Sequence, residues 1–454
     1  MSFKSDNKII FALAIPAVLQ TLVRSSFSLI DAYWVGKMGS IELASLTVSY
    51  FIVWGAYALG EMISTGTNSL VAQSVGAEDK PLSKKISTLN IVNSFIFSLL
   101  LGLMMIPLLQ YFYLLINLNP EQSELAGNYL VTFLIGLPCM TLLSTVSSIF
   151  RGYGDTKTPF YLLLIAVGLN IFLTPILIFG VNRHLILGLR GAALSTLISY
   201  FLVFFIGYVI LRKRELIHSI LKFRFDKLII FETLKIGFPI SMNGVGFSII
   251  YIFIARFVAD YGTTGLAALG IGHRSEAISY HICIGFSLAA TILVGQYMGA
   301  GKPKSAERFA WKILGLCSTI MLIYGVLLFI FSKEVAGIFT NDMNVINAAS
   351  TYNKIAAVVL IFSAAEVTLS GAFSGAGDTV PPAIIGLPFN FLRIPLIAIL
   401  APMFGLTGIW FAICATVVLK GVIITIWFKR GKWKLKKIKL IKKKPNILEL
   451  TEVE

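Results

Sequence analysis

Twelve apolar stretches take up most of this chain, at 9–36, 46–74, 86–114, 124–149, 158–181, 188–211, 232–258, 267–297, 308–332, 345–372, 381–401 and 405–428. Each is wholly apolar or interrupted by isolated polar groups. A helix needs about 20 mostly apolar residues to cross a bilayer. In lipid the backbone must satisfy its own hydrogen bonds, and the alternating segments of about ten residues that build a closed barrel are not found. The pattern predicts an all-α integral membrane protein with twelve transmembrane helices. Only 13% of the residues are charged, against roughly 25% in a soluble domain. The net charge of +16 would suggest nucleic acid in a soluble protein. Here the basic residues fill short patches between apolar runs, the pattern of cytoplasmic loops, so a nucleic-acid partner is not expected.

Those patches set a direction. With the N-terminus inside, Lys80, Lys84, Lys85, Arg151, Lys157, the run 212–227, Lys302, Lys304 and the tail 429–444 all fall on the cytoplasmic side. The opposite loops hold only Lys37, Arg183, Arg190 and Lys333. Both termini are therefore expected in the cytoplasm, and the protein in the cell inner membrane. The start reads as a first span rather than a cleavable signal, because the run from Ile9 is long and lacks a small-residue cleavage site. The four cysteines (Cys139, Cys283, Cys317, Cys414) are far apart in the chain and lie inside apolar segments, which suits inert thiols rather than a metal site or a disulfide framework.

The chain also repeats itself. Gly152-Tyr153-Gly154-Asp155-Thr156 recurs 223 positions later as Gly375-Ala376-Gly377-Asp378-Thr379. At the same offset Pro16 falls on Pro239, LASL (43–46) on LAAL (266–269), and AQSVGA (72–77) on GQYMGA (295–300). After the Gly-Asp-Thr turn the second half is shorter, and GLRGAA (188–193) then matches GLTGIW (405–410) at its glycines. The expected organisation is an N-lobe over 1–211, a basic linker over 212–231, a C-lobe over 232–428 and a basic tail over 429–454. Six spans per half is an even number, so the halves are parallel repeats related by an axis along the membrane normal. Two such six-helix bundles with a central cleft suit alternating access. The Gly-Asp-Thr turn itself reads as a structural corner, with Asp155, Thr156 or Thr158 capping the next helix and Pro159 in its first turn.

RGYGDTKTP with Asn170 and Pro175 behind it, Pro16 and Asp31 leading into IDAYWVGKMGSIELAS, and the VAQSVGA/VGQYMGA pair resemble the multidrug and toxic compound extrusion (MATE) family, in order and in both halves. His273-Arg274-Ser275-Glu276 before VGQYMGA resembles the branch related to DNA-damage-inducible proteins. The resemblance implies a secondary active transporter whose N-lobe carboxylate and asparagine, here Asp31 and Asn170, couple to a cation. It also exposes two departures. Relatives of this branch carry an aspartate where this chain has Thr174, before Pro175, and the acid that other branches carry on span seven is replaced by about Phe247.

Ionisable groups inside a bilayer are expensive and by default functional. Counted at 1.5 Å per residue, Asp31, Asn170, Thr174 and Thr196 lie at similar depth in the outer part of spans one, five and six. A carboxylate, an amide and two hydroxyls form an oxygen-rich pocket for a proton or Na⁺. With one acid missing at Thr174, proton exchange at Asp31 is the simpler of the two. Glu61, near mid-membrane, either pairs with Arg24 as a quiet structural couple or stands unpaired as a second proton carrier. In the second half Arg256 and Asp260 read as a surface pair; Glu276 and Arg393 share one depth, Glu366 and Lys420 another. Glu276 is a secondary candidate for coupling.

The expected function is export of amphiphilic, cationic compounds in exchange for H⁺ or Na⁺, by a monomer in the bilayer. No cofactor beyond the coupling ion is expected, and the absence of a GxxxxGK[ST] loop points to an ion gradient as the energy source. The alternative is a flippase for a lipid or lipid-linked precursor, which would want several intramembrane arginines. A membrane enzyme is not expected, since His184, His218, His273 and His281 do not converge on one depth.

Overall fold

A computed structural model describes residues 3–115, 118–180, 186–219, 225–436 and 438–441. Arg183, His184, residues 220–224 of the basic linker and the tail from 442 onward lie outside the described residues. The first half consists of α1 (Phe3–Gly36), α2 (Ser40–Gly76), α3 (Lys80–Met105), the short α4 (Leu109–Leu115), α5 (Pro120–Ile135), α6 (Leu137–Gly152), α7 (Lys157–Phe179) and α8 (Leu189–Lys213). The second consists of α9 (Lys227–Ala259), α10 (Gly262–Gly299), α11 (Pro303–Ile330), the short α12 (Ser332–Gly337), α13 (Met343–Ala376), α14 (Val380–Phe391), α15 (Arg393–Phe404) and α16 (Leu406–Lys429). Eleven stretches are long and apolar enough to cross a membrane, α3 running on into α4 and α14 into α15. α5 and α6, bent by 44° at Gly136, make the twelfth. The chain is an all-helical membrane protein of twelve spans.

Helix starts are set by the polar joints. Asp79, Asn119, Asp226 and Asp342 accept hydrogen bonds from the first amides of α3, α5, α9 and α13, which satisfies donors that have no partner within the helix. Asp155 does the same for α7, accepting from the Thr158 amide at 2.9 Å and the Thr158 hydroxyl at 2.5 Å, with Arg214 Nη1 at 2.7 Å. Burial pushes the Asp155 carboxyl up, but the Thr158 hydrogen bonds and Arg214 outweigh it and hold the carboxyl below the usual carboxylate range. The second copy of the turn departs here, because Asp378 faces Lys436 Nζ at 3.1 Å instead. We expect Asp155→Ala to destabilise the protein by about 1 kcal/mol, read as a lower melting temperature in detergent at neutral pH. A depressed carboxyl contributes while it is ionised, so the difference from wild type should fade as the pH falls through the Asp155 carboxyl's range.

Each half has its own apolar core, but α1 belongs to both. Ile10, Leu13 and Ala14 sit in a second-half core beside Phe286, and Asp6 pairs with Lys312 Nζ at 3.1 Å, while Phe27 and Val35 pack in first-half cores. The two halves meet tightly from the end that carries both Gly-Asp-Thr turns to about mid-helix, where an added Cβ on Gly237 would lie 1.9 Å from the Met62 carbonyl oxygen. At the end with the turns, α2 crosses α10 at residues related by the repeat. A Cβ on Gly76 would lie 1.9 Å from the Gln296 carbonyl oxygen, and one on Gly299 would lie 1.9 Å from that of Gln73. Gln73 Nε2 donates to the Gly375 carbonyl at 2.7 Å, and Gln296 Nε2 donates to the Gly152 carbonyl at 3.1 Å. The two repeated motifs thus explain each other: the glutamine of either half caps the glycine turn of the other.

Toward the other end the halves part. Among the described residues the last hydrogen bond between them is Ser25 Oγ to His281 Nε2, 3.0 Å, and the last ring contact is Trp54 on Phe247, 5.9 Å. Beyond these points α1, α2, α9 and α10 run on for about a dozen residues or more, roughly 18 Å of helix, along which the described residues make no hydrogen bond or ring contact between the halves. Leu29, Tyr33, Phe51, Trp54, Phe253 and Tyr280 are exposed along those segments.

Candidate functional site

The four residues expected to share a depth are joined in space. α1 supplies Asp31, α7 supplies Asn170 and Thr174 one turn apart, and α8 supplies Thr196. Asn170 Nδ2 donates to Thr196 Oγ1 at 3.0 Å, and Thr196 Oγ1 donates to Asp31 Oδ2 at 3.5 Å. Thr174 Oγ1 donates to the Asn170 carbonyl at 2.7 Å. Asp31 is 3% exposed, and Asn170 and Thr174 are fully buried.

Ser195 belongs to the same cluster and was not anticipated. Its Oγ lies 2.8 Å from Thr174 Oγ1 and 3.3 Å from Asn170 Nδ2. Its only sequence signal is that it precedes Thr196, and small hydroxyl residues are common in membrane helices. With both amide hydrogens of Asn170 spent on hydroxyls, its Oδ1 has no donor, and Asp31 Oδ1 has none either. Buried oxygens in native proteins are hydrogen-bonded as a rule. Two orphan acceptors in one cluster, one a carboxylate and one an amide, are what a proton or a small hard cation would satisfy.

Glu61 and Arg24 do not form an ion pair, which corrects the first of the two expectations for them. Arg24 Nη1 donates instead to Tyr57 Oη at 2.6 Å, and Tyr57 Oη sits 2.9 Å from Ser144 Oγ. Glu61 Oε2 accepts from Ser64 Oγ at 2.9 Å, and its Oε1 is buried without a hydrogen bond. Depth along two helices matches the charges, but the tyrosine intercepts the guanidinium. Arg256 and Asp260 likewise form no ion pair.

In the second half Glu276 Oε2 accepts from Tyr352 Oη at 2.9 Å and makes no ion pair with Arg393, whose Nε donates to Thr416 Oγ1 at 2.9 Å. Glu366 and Lys420 do pair, at 2.8 Å. Phe247 packs in tilted ring contacts with Trp54 and Tyr251, with no acid in its place. Cys283 and Cys317, distant in sequence, touch through their sulfurs at 3.8 Å as free thiols.

A profile of the family described as MatE matches residues 16–176 and again 239–399, two stretches whose starts lie 223 residues apart. A Thermotoga maritima protein called "Probable multidrug resistance protein NorM" is 27% identical over 445 residues, covering 94% of this chain and 93% of its own. "Multidrug export protein MepA" of Staphylococcus aureus is 24% identical over 401 residues, covering 87% of each. Among solved structures, the Vibrio cholerae MATE transporter VcmN in its bent form superposes with a TM-score of 0.86 at 19% identity, covering 97% of this chain and 99% of the other. That last likeness establishes the fold: twelve helices in two bundles.

Proposed function

This chain belongs to the MatE family, and from that premise we propose that it is a multidrug efflux antiporter of the cell inner membrane, driven by H⁺ or Na⁺ entering through the Asp31 cluster. The observation that carries the reading is the pair of orphan oxygens, Asp31 Oδ1 and Asn170 Oδ1, held between three helices of one half. The multidrug names of the two relatives support efflux of drug-like compounds, and nothing in them supports a lipid flippase.

The mechanism follows from the cost of a bare carboxylate. Empty, the cluster leaves an ionised Asp31 with a single 3.5 Å hydrogen bond from Thr196, away from water and in low dielectric. A proton or cation neutralises it and draws in the Asn170 oxygen. Occupancy therefore changes which packing of α1, α7 and α8 is lower in free energy, and α1 carries that preference to the other half, where its inner end is anchored. A cation needs to bind only one arrangement better to shift the population between them.

The tight end, where the Lys80–Lys85 segment, Arg214 and Lys302–Lys304 gather, is assigned to the cytoplasm by its basic charge. The molecule would then face outward, its cytoplasmic gate closed by the glycine crossing. The exposed aromatic and aliphatic side chains on the segments beyond the closed end suit amphiphilic compounds, cationic ones above all.

The test is efflux of a fluorescent organic cation from proteoliposomes under an imposed pH or Na⁺ gradient. Asp31→Asn removes the charge and keeps the shape. Losing a buried carboxylate against a cation costs about 3 kcal/mol, or about a hundredfold in affinity, so gradient-driven efflux should collapse to leak. Wild-type efflux that follows neither gradient would reject antiport. Coupling that survives Asp31→Asn would reject the cluster.

A further inference from the structure

The repeat places a counterpart of the Asp31 cluster in the second half, and its chemistry is inverted. At an offset of 223 Asp31 falls on Ile254; past the turn, where the second half is shorter, NIFLTP (170–175) matches NFLRIP (390–395), which sets Asn170 on Asn390 and Thr174 on Ile394. The acid is gone, and Ile254 is buried in apolar core. Two cations fixed to the chain stand between the matching helices instead. Arg393 is buried against Thr416 of α16. Lys420, also of α16, is 4% exposed, and its Nζ lies 2.8 Å from Glu366 Oε1 of α13 and 3.1 Å from Asn390 Oδ1 of α14.

The comparison between the two asparagines is direct. In the first half one carboxylate oxygen, Asp31 Oδ1, and the asparagine oxygen face no donor; in the second a carboxylate and an asparagine oxygen converge on one ammonium. We propose that the Lys420 ammonium is a tethered stand-in for a coupling cation: it fills a carboxylate-amide oxygen site between α13, α14 and α16 for the whole transport cycle, so that only the first half exchanges ions.

An ammonium is a unit charge with up to three donors, which suits it to such an oxygen cage. Tethering makes its local concentration so high that an ion from solution cannot compete, the logic of effective molarity. Glu366 keeps about a fifth of its side-chain surface, 22%, so its carboxylate is not sealed inside the protein once the lysine is shortened. An ordinary structural ion pair would share the distances but not this consequence: it need not accept a free cation in place of its own. The inference uses the proposed role of Asp31 only for the comparison, and it can fail separately from it.

The experiment removes the tether. Lys420→Ala is made in the Asp31→Asn background, so that the first-half cluster contributes no ion response. Melting of the purified protein is followed in methylammonium chloride, sodium chloride and choline chloride at one ionic strength. The expected result is a lowered melting temperature in choline, largely restored by methylammonium and raised by sodium, with no such response in Asp31→Asn alone or in Asp31→Asn/Lys420→Ala/Glu366→Gln. A folded Lys420→Ala protein that melts alike in all three salts overturns the proposal, as does an equal response after Glu366→Gln. If the variant does not survive purification in choline, the same comparison is made on the yield of folded monodisperse protein. Recovery with methylammonium present throughout supports the proposal, and equal yields overturn it.

Discussion

Gly76→Leu and Gly299→Leu will each hold open the end of the molecule that the structure shows closed. A Cβ at either position would sit 1.9 Å from a backbone oxygen of the crossing helix, and real Cβ atoms essentially never approach within 3.0 Å. The obstacle is main chain, which cannot rotate aside as a side-chain tip can. The helices α2 and α10 must therefore separate, and the Gln73–Gly375 and Gln296–Gly152 bonds go with them. Losing these two hydrogen bonds, one buried and one partly buried, and the packing around them costs the closed arrangement about 3 kcal/mol, roughly a hundredfold in its population. Gradient-driven efflux should fall accordingly. Cysteines placed at Ser69 and Ser374, which meet across the same seam, should become reactive to an impermeant maleimide applied from the basic side. Gly168→Leu and Gly315→Leu, where an added Cβ meets nothing within 4 Å, are the controls and should leave both measurements unchanged. Unaltered labelling in a folded Gly76→Leu protein would show that the crossing is not the gate.

That gate shows what the sequence carries and where it stops. The spans are legible because a bilayer admits one period and one length, and α7 and α8 follow the apolar stretches 158–181 and 188–211 within a few residues. The repeat is legible because offset is a one-dimensional property. What offset cannot show is which copy touches which. Gln73 and Gly375 lie in different halves, and their bond appears only when α2 and α10 cross. Depth is likewise legible by counting, which brought Asp31, Asn170, Thr174 and Thr196 together. Azimuth is not. Arg24 and Glu61 match in depth, yet Tyr57 takes the guanidinium. Serines are too frequent in membrane helices to single out Ser195 before its oxygen is seen beside Thr174.

Thr174→Asp is expected to turn a weak Na⁺ response into a strong one. The wild-type hydroxyl is buried, donates to the Asn170 carbonyl at 2.7 Å and lies 2.8 Å from Ser195 Oγ. A carboxylate there cannot donate, so it faces the Asn170 carbonyl and adds a second acid to the buried cluster that holds Asp31. Two like charges brought to about 4 Å of each other repel by about 4 kcal/mol at an effective dielectric of 20. A cation between them converts that repulsion into attraction. Even if relaxation and screening remove most of it, about 1–3 kcal/mol remains, or roughly ten- to a hundredfold in Na⁺ affinity. Stability should follow by linkage: below wild type in Na⁺-free buffer and climbing steeply as Na⁺ is added, while Thr174→Asn, of the same shape without the charge, climbs no more than wild type. The double variant Asp31→Asn/Thr174→Asp separates cooperation from addition. If the two acids grip one ion, the steep response disappears with Asp31. If it persists undiminished, the new carboxylate binds Na⁺ alone, and Asp31 does not belong to the cation site.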